Sequence, residues 1–131
     1  MKENVVKDKS YQFALMVVDL SKYLSKGNEF VLSRQLLRSG TSIGANVEEA
    51  LAGQSRADFL SKMSIASKEA REANYWLRLL RDSNTCDESR LRPVLLESEG
   101  LINILSSIVK TTSARSASTI HNSKLRIQNK P

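Results

Sequence analysis

Hydrophobic residues recur along the chain at three- and four-residue steps in four blocks, each bounded by turn or capping signals. The first predicted helix spans about Lys9 to Lys26. Tyr11, Leu15, Val18 and the Leu20/Tyr23/Leu24 group form its main apolar side, and Gly27 stops it. Asn28 caps the second, which runs from Glu29 to about Leu51 through Leu32, Leu36, Ile43, Val47 and Ala50, with Gly53 at its end. Ser55 with Asp58 has the spacing of a capping box for the third helix. Along that helix Phe59, Met63, Ala66, Ala70, Ala73, Leu77 and Leu80 keep an uninterrupted heptad-type spacing, a coiled-coil-like seam.

After a turn at Asp82-Ser83-Asn84, Thr85 with Glu88 forms a second capping box. Pro93 would cost about 3 kcal/mol inside a helix, so a short first turn is expected, then a break near Leu91 to Arg92 and a restart at Pro93. Leu95, Ile102, Leu105 and Val109 carry this last helix to about Thr112. The predicted organisation is an N-terminal extension over residues 1–8, a helical bundle over 9–112, and a basic, Ser/Thr-rich, disordered tail over 113–131. Four helices joined by short turns give an all-α fold, an antiparallel up-down-up-down four-helix bundle. Phe13, Met16 and Val17 on the first helix, and Ile65, Tyr75, Trp76 and Leu79 on the third, are apolar beyond one core-facing stripe. Such surplus predicts self-association.

Polar and small residues interrupt the second helix in a regular way. Ser39, Ser42, Asn46 and Glu49 share one face, and Gly40 and Gly44 lie beside it. Each glycine costs roughly 1 kcal/mol against Ala, which is tolerable where a neighbouring backbone comes close. The expected neighbour is the alanine stretch of the third helix. Arg38, Ser42, Asn46, Glu49, Glu69 and Glu72 are therefore assigned to a structural polar network, in which paired buried groups fix helix register and subunit contacts.

Little in the chain suggests catalysis. A di-iron bundle needs Glu-x-x-His on two helices, and the single histidine, His121, lies in the tail. Glu69 and Glu72 have helical spacing but no imidazole partners, and Cys86 sits in a loop without a motif around it. No catalytic, cofactor-binding or metal-ligating residue is assigned, and no cofactor is expected. The start is too polar for a signal peptide and no run of 18 apolar residues occurs, so a soluble cytoplasmic protein without a membrane partner is expected.

The net charge of +6 is unevenly placed. Five of the 20 basic residues lie from Lys110 to Lys130 with no acidic one among them, leaving 15 basic against all 14 acidic residues before them. The bundle is nearly neutral, and the excess sits at its end. In a ring, modest patches would repeat around the axis and merge into a positive surface. Arg34, Arg56, Lys62, Arg71, Arg78, Arg81, Lys110, Arg115, Lys124 and Arg126 are the candidate nucleic-acid contacts, with salt-sensitive binding expected.

The stretch RSGTSIGANVEEALAGQSRADFLSKMSIASKEAREANYWLRLL resembles the signature region of the 23S rRNA-intervening-sequence proteins, a family of four-helix bundles. The likeness rests on Arg38-Ser39, Ser42-Ile43, Asn46, Glu48-Glu49, Phe59-Leu60, Ala66, Lys68-Glu69, Glu72 and Tyr75-Trp76-Leu77. LINILSSIVKTT (Leu101 to Thr112) resembles the family's last helix, and the likeness covers about residues 8–112. Pro93 and the basic tail depart from it. The resemblance implies a ring-like homopentamer, encoded in some members inside rRNA-gene insertions. It is related to accessory subunits of diversity-generating retroelement reverse transcriptases, with RNA or DNA and a reverse transcriptase or other protein as partners. The function expected is a non-enzymatic, rRNA-associated accessory or scaffold. The alternative is a protein-only interaction module whose charge is incidental.

Overall fold

A computed structural model describes the backbone of residues 2–128 and the side chains of residues 3–116. It contains four helices, α1 (Lys2–Lys26), α2 (Val31–Ala52), α3 (Arg56–Asp82) and α4 (Glu88–Gln128), and no strand among the described residues. Consecutive helices pack on one another and α4 closes against α1, while among the described residues the diagonal pairs make no close approach. Long neighbours joined by short turns must run antiparallel, so the all-α expectation holds, with the four helices around one core.

The core register of α1 differs from the predicted one. Val6, Ser10, Phe13, Val17, Leu20 and Leu24 are buried, whereas Tyr11, Leu15 and Tyr23 of the predicted apolar side are exposed. The apparent surplus of Phe13 and Val17 is therefore core. Ser10 hides this register because it holds a core position, its hydroxyl donating to Lys7 O at 3.0 Å. Buried Val6 also places residues 2–8 in the first helix rather than in an extension.

The α3 seam is as predicted: Met63, Ala66, Ala70, Ala73, Leu77 and Leu80 are fully buried and Phe59 packs at the margin. Each large core residue contributes roughly 1.5–3 kcal/mol through burial. The glycines of α2, however, face α1 and not the alanines. A Cβ on Gly40 would lie 2.8 Å from both Val17 methyls, and one on Gly44 would lie 3.4 Å from Ser10 O. Small buried hydroxyls line the same core and bond to backbone carbonyls: Ser39 to Gln35 O, Ser98 to Leu95 O and Thr112 to Ile108 O.

Two turns use one device. Glu29 N donates to Leu24 O and Asn28 N to Ser25 O around Asn28 at φ 65°, and Thr85 N to Leu80 O and Asn84 N to Arg81 O around Asn84 at φ 56°. These are Schellman motifs with asparagine in the left-handed position. Asn28 thus ends α1, beyond Gly27, and does not cap α2. Glu29 Oε1 instead accepts from Leu32 N at 2.7 Å. The Ser55 cap forms as predicted, accepting from Asp58 N at 3.0 Å. Thr85 forms no capping box, because α4 begins only at Glu88 and the Thr85 hydroxyl pairs with that of Ser83.

Pro93 lies within α4, and no break separates it from Leu91 and Arg92. It is one turn into the helix, where its missing N–H frees only the Ser89 carbonyl. Both residues are exposed, so water satisfies that carbonyl. At the other end the backbone is helical from Thr112 to Gln128, where a disordered tail is expected from residue 113, and residues 129–131 of that expected tail lie outside the described residues. No Gly or Pro occurs from 113 to 130 to stop it.

Candidate nucleic-acid and assembly interface

The predicted polar network separates into three parts. On the α2–α3 face Arg38 bonds Glu72 and reaches Glu69 Oε2 at 3.3 Å, and Trp76 Nε1 donates to Glu72 Oε2 at 3.4 Å. Glu49 pairs instead with Lys62 at 3.1 Å. Ser42 and Asn46 join neither: Ser42 Oγ donates to Arg38 O at 2.6 Å and Asn46 Nδ2 to Ser42 O at 2.8 Å, both within α2. The pairs are partly exposed rather than buried, so each contributes at most about 1 kcal/mol. Ser42 and Asn46 are too short to cross the gap that Arg38 spans and so bond within their own helix.

Most basic candidates on α2 and α3 are engaged within the chain. Lys62 holds Glu49, Arg71 Nη2 donates to Ser106 Oγ at 3.1 Å, and Arg78 Nε donates to Asn74 Oδ1 at 2.9 Å while its guanidinium lies 5.8 Å from the Tyr75 ring centre. Arg81 Nε bonds Asp82 at 2.7 Å and holds that carboxyl below the usual carboxylate range. Arg56 and Arg115 line one cleft at an end of the bundle with Glu3, Phe59 and Thr112, and neither is a free cation. Lys110 is exposed on α4. The side chains of Lys124 and Arg126 lie outside the described residues.

Arg34 is different. Together with Lys22 and Lys26 it rims a groove of about 480 Å³ between α1 and α2, floored by Val18, Phe30 and Leu37. None of the three cations makes a hydrogen bond or ion pair among the described side chains, and no carboxylate lines the groove. Phe30 is 50% exposed at the entrance to α2. Sequence patterning missed Lys22, Lys26 and Phe30 because the groove joins two helices across a turn. The one-turn spacing of Lys22 and Lys26 was the available signal.

Apolar side chains are also exposed elsewhere: Tyr11 and Leu15 on α1, Ile65, Tyr75 and Leu79 on α3, and Leu96 on α4 at 60%. The Tyr75 and Trp76 rings pack on each other with centroids 5.1 Å apart. At the base, the Arg90 guanidinium lies 3.7 Å over the Tyr23 ring and ties the start of α4 to α1. Cys86 is buried nearby, and its thiol is pushed up by that burial, which keeps it protonated and a poor nucleophile. Among the described residues no cluster of three His, Cys, Asp or Glu side chains could hold a metal, and no helix is long and apolar enough to cross a membrane.

The family model for the 23S rRNA-intervening sequence protein matches residues 2–107. The chain belongs to that family. A crystal structure of a protein of unknown function from the S23 ribosomal protein family of Bacteroides thetaiotaomicron is similar to it, with 50% sequence identity and a TM-score of 0.80. The similarity covers 84% of this chain and 99% of that one. Among curated proteins none matches. The family span takes in all of α1, α2 and α3 and the buried stretch of α4 through Leu105, and with them the whole α1–α2 groove. Lys110 and the basic residues after it fall beyond it.

Proposed function

We propose that this protein is a non-enzymatic, self-associating helical scaffold of the cytoplasm that accompanies rRNA. The observation that carries it is apolar surface left outside a closed core. Tyr11 and Leu15 on α1, and Ile65, Tyr75 and Leu79 on α3, face outward although the four helices already bury their seams on each other. Further copies of the chain are the simplest cover for these faces, and the family resemblance makes a homopentameric ring the assembly of choice. In such a ring every unpaired cation repeats around the axis, which turns a few charges per subunit into a continuous field. A polymerase of the reverse-transcriptase class is the protein partner that the resemblance implies.

Retention of the pure protein on structured rRNA or heparin is the test. Affinity should fall steeply between about 50 and 200 mM salt. A second proposal, a protein-only interaction module, draws on the internal pairing of Arg38, Lys62 and Arg81 with carboxylates. Absence of RNA retention, together with salt-independent capture of a protein partner, would favour it over the first.

A further inference from the structure

We infer that the α1–α2 groove is a site for a segment of single-stranded RNA, with Phe30 as the stacking platform for a base and Lys22, Lys26 and Arg34 as the phosphate contacts. This rests on the RNA-associated function proposed above and places it on named residues. Charge selects the site. Most other basic candidates on α2 and α3 spend their charge on a carboxylate or a neighbouring polar group, whereas these three are unpaired around one concave surface without a carboxylate. An anionic chain is the complement of such a rim.

An aromatic ring marks where a base would sit. Phe30 is half exposed, and an unpaired base has a π-face that stacks on it whatever its identity. Val18 and Leu37 extend the apolar floor beside the ring. The volume of about 480 Å³ is ample for a nucleotide and lies within the usual size of a ligand site. The Ser21 hydroxyl, on the same wall, is buried without a hydrogen-bond partner among the described residues. The cleft between Arg56 and Arg115 lacks this character, since it includes Glu3 and its arginines are already engaged.

Fluorescence anisotropy with a short labelled oligoadenylate and oligouridylate tests the site on the full chain. Oligoadenylate should bind more tightly, because the larger base stacks better. Phe30→Leu keeps the apolar bulk but removes the ring, and should weaken oligoadenylate binding about ten-fold, whereas Phe30→Trp should preserve it. Replacing Lys22, Lys26 and Arg34 together by Gln should reduce the slope of log affinity against log salt by about 2. Light scattering and circular dichroism on each variant should match the wild type. RNA binding that is unchanged in all these variants would overturn the groove site while leaving RNA association standing elsewhere on the protein. Wild-type protein that binds neither oligonucleotide nor rRNA would overturn both. Variants that lose oligomer size with RNA affinity intact would assign the groove to a second copy. Polyglutamate competing as well as oligoadenylate, with no effect of Phe30→Leu, would assign it to an acidic peptide.

Discussion

Two glycines in helices have opposite meanings. Gly40 sits where a Cβ would strike both methyls of Val17, a buried β-branched residue with little rotamer freedom in its own helix. Gly40→Ala is therefore expected to destabilise the fold by a net 1 to 2 kcal/mol or so, overpacking outweighing the gain in helix propensity. Gly100 is in mid-helix with nothing within 4 Å of an added Cβ, so Gly100→Ala should stabilise by up to about 1 kcal/mol. Thermal melts of the two variants check the pair. Equal shifts, or a reversed order, would contradict the packing of α1 on α2. Gly40 and Gly44 have the close helix neighbour that the sequence pattern predicts, but it is α1 and not the alanine stretch of α3.

The helices themselves were largely legible in the sequence, and the misses have physical causes. Seven apolar positions in strict register announced α3, with Ser55 correctly marking its start. The core face of α1 was concealed because Ser10 occupies a buried position that only a backbone hydrogen bond makes tolerable. Turn positions were shifted because Asn28 and Asn84 adopt the left-handed conformation expected of glycine. Of the candidate site, only Arg34 was legible; Phe30 lies one turn before it at the entrance to the same helix, and Lys22 and Lys26 are brought beside it by the packing of α2 on α1. The sequence predicts a break at Pro93, yet its place one turn into α4 leaves only a single exposed carbonyl without a helical partner. Pro93→Ala should restore that bond and raise stability by about 1–2 kcal/mol, less than the full cost of an interior proline because the carbonyl is hydrated. Chemical denaturation measures this, and a lower midpoint in the variant would mean that Pro93 fixes the start of α4.

At the scale of the whole molecule, the bundle has more apolar surface than one copy can cover and less free positive charge than its pI suggests. Internal ion pairs neutralise much of the α2–α3 surface, while the cations of the α1–α2 groove stay unpaired among the described side chains. That division fits a scaffold whose exposed faces meet other copies and whose remaining cations meet an anionic partner. The α2–α3 ion pairs would then hold the orientation of the exposed face of α3, although each is weak alone. Multi-angle light scattering of the pure protein at micromolar concentration tests self-association most directly. The account predicts a stable particle at a multiple of the 14.6 kDa chain mass, five-fold for the proposed ring, and a stable 14.6 kDa monomer would contradict it.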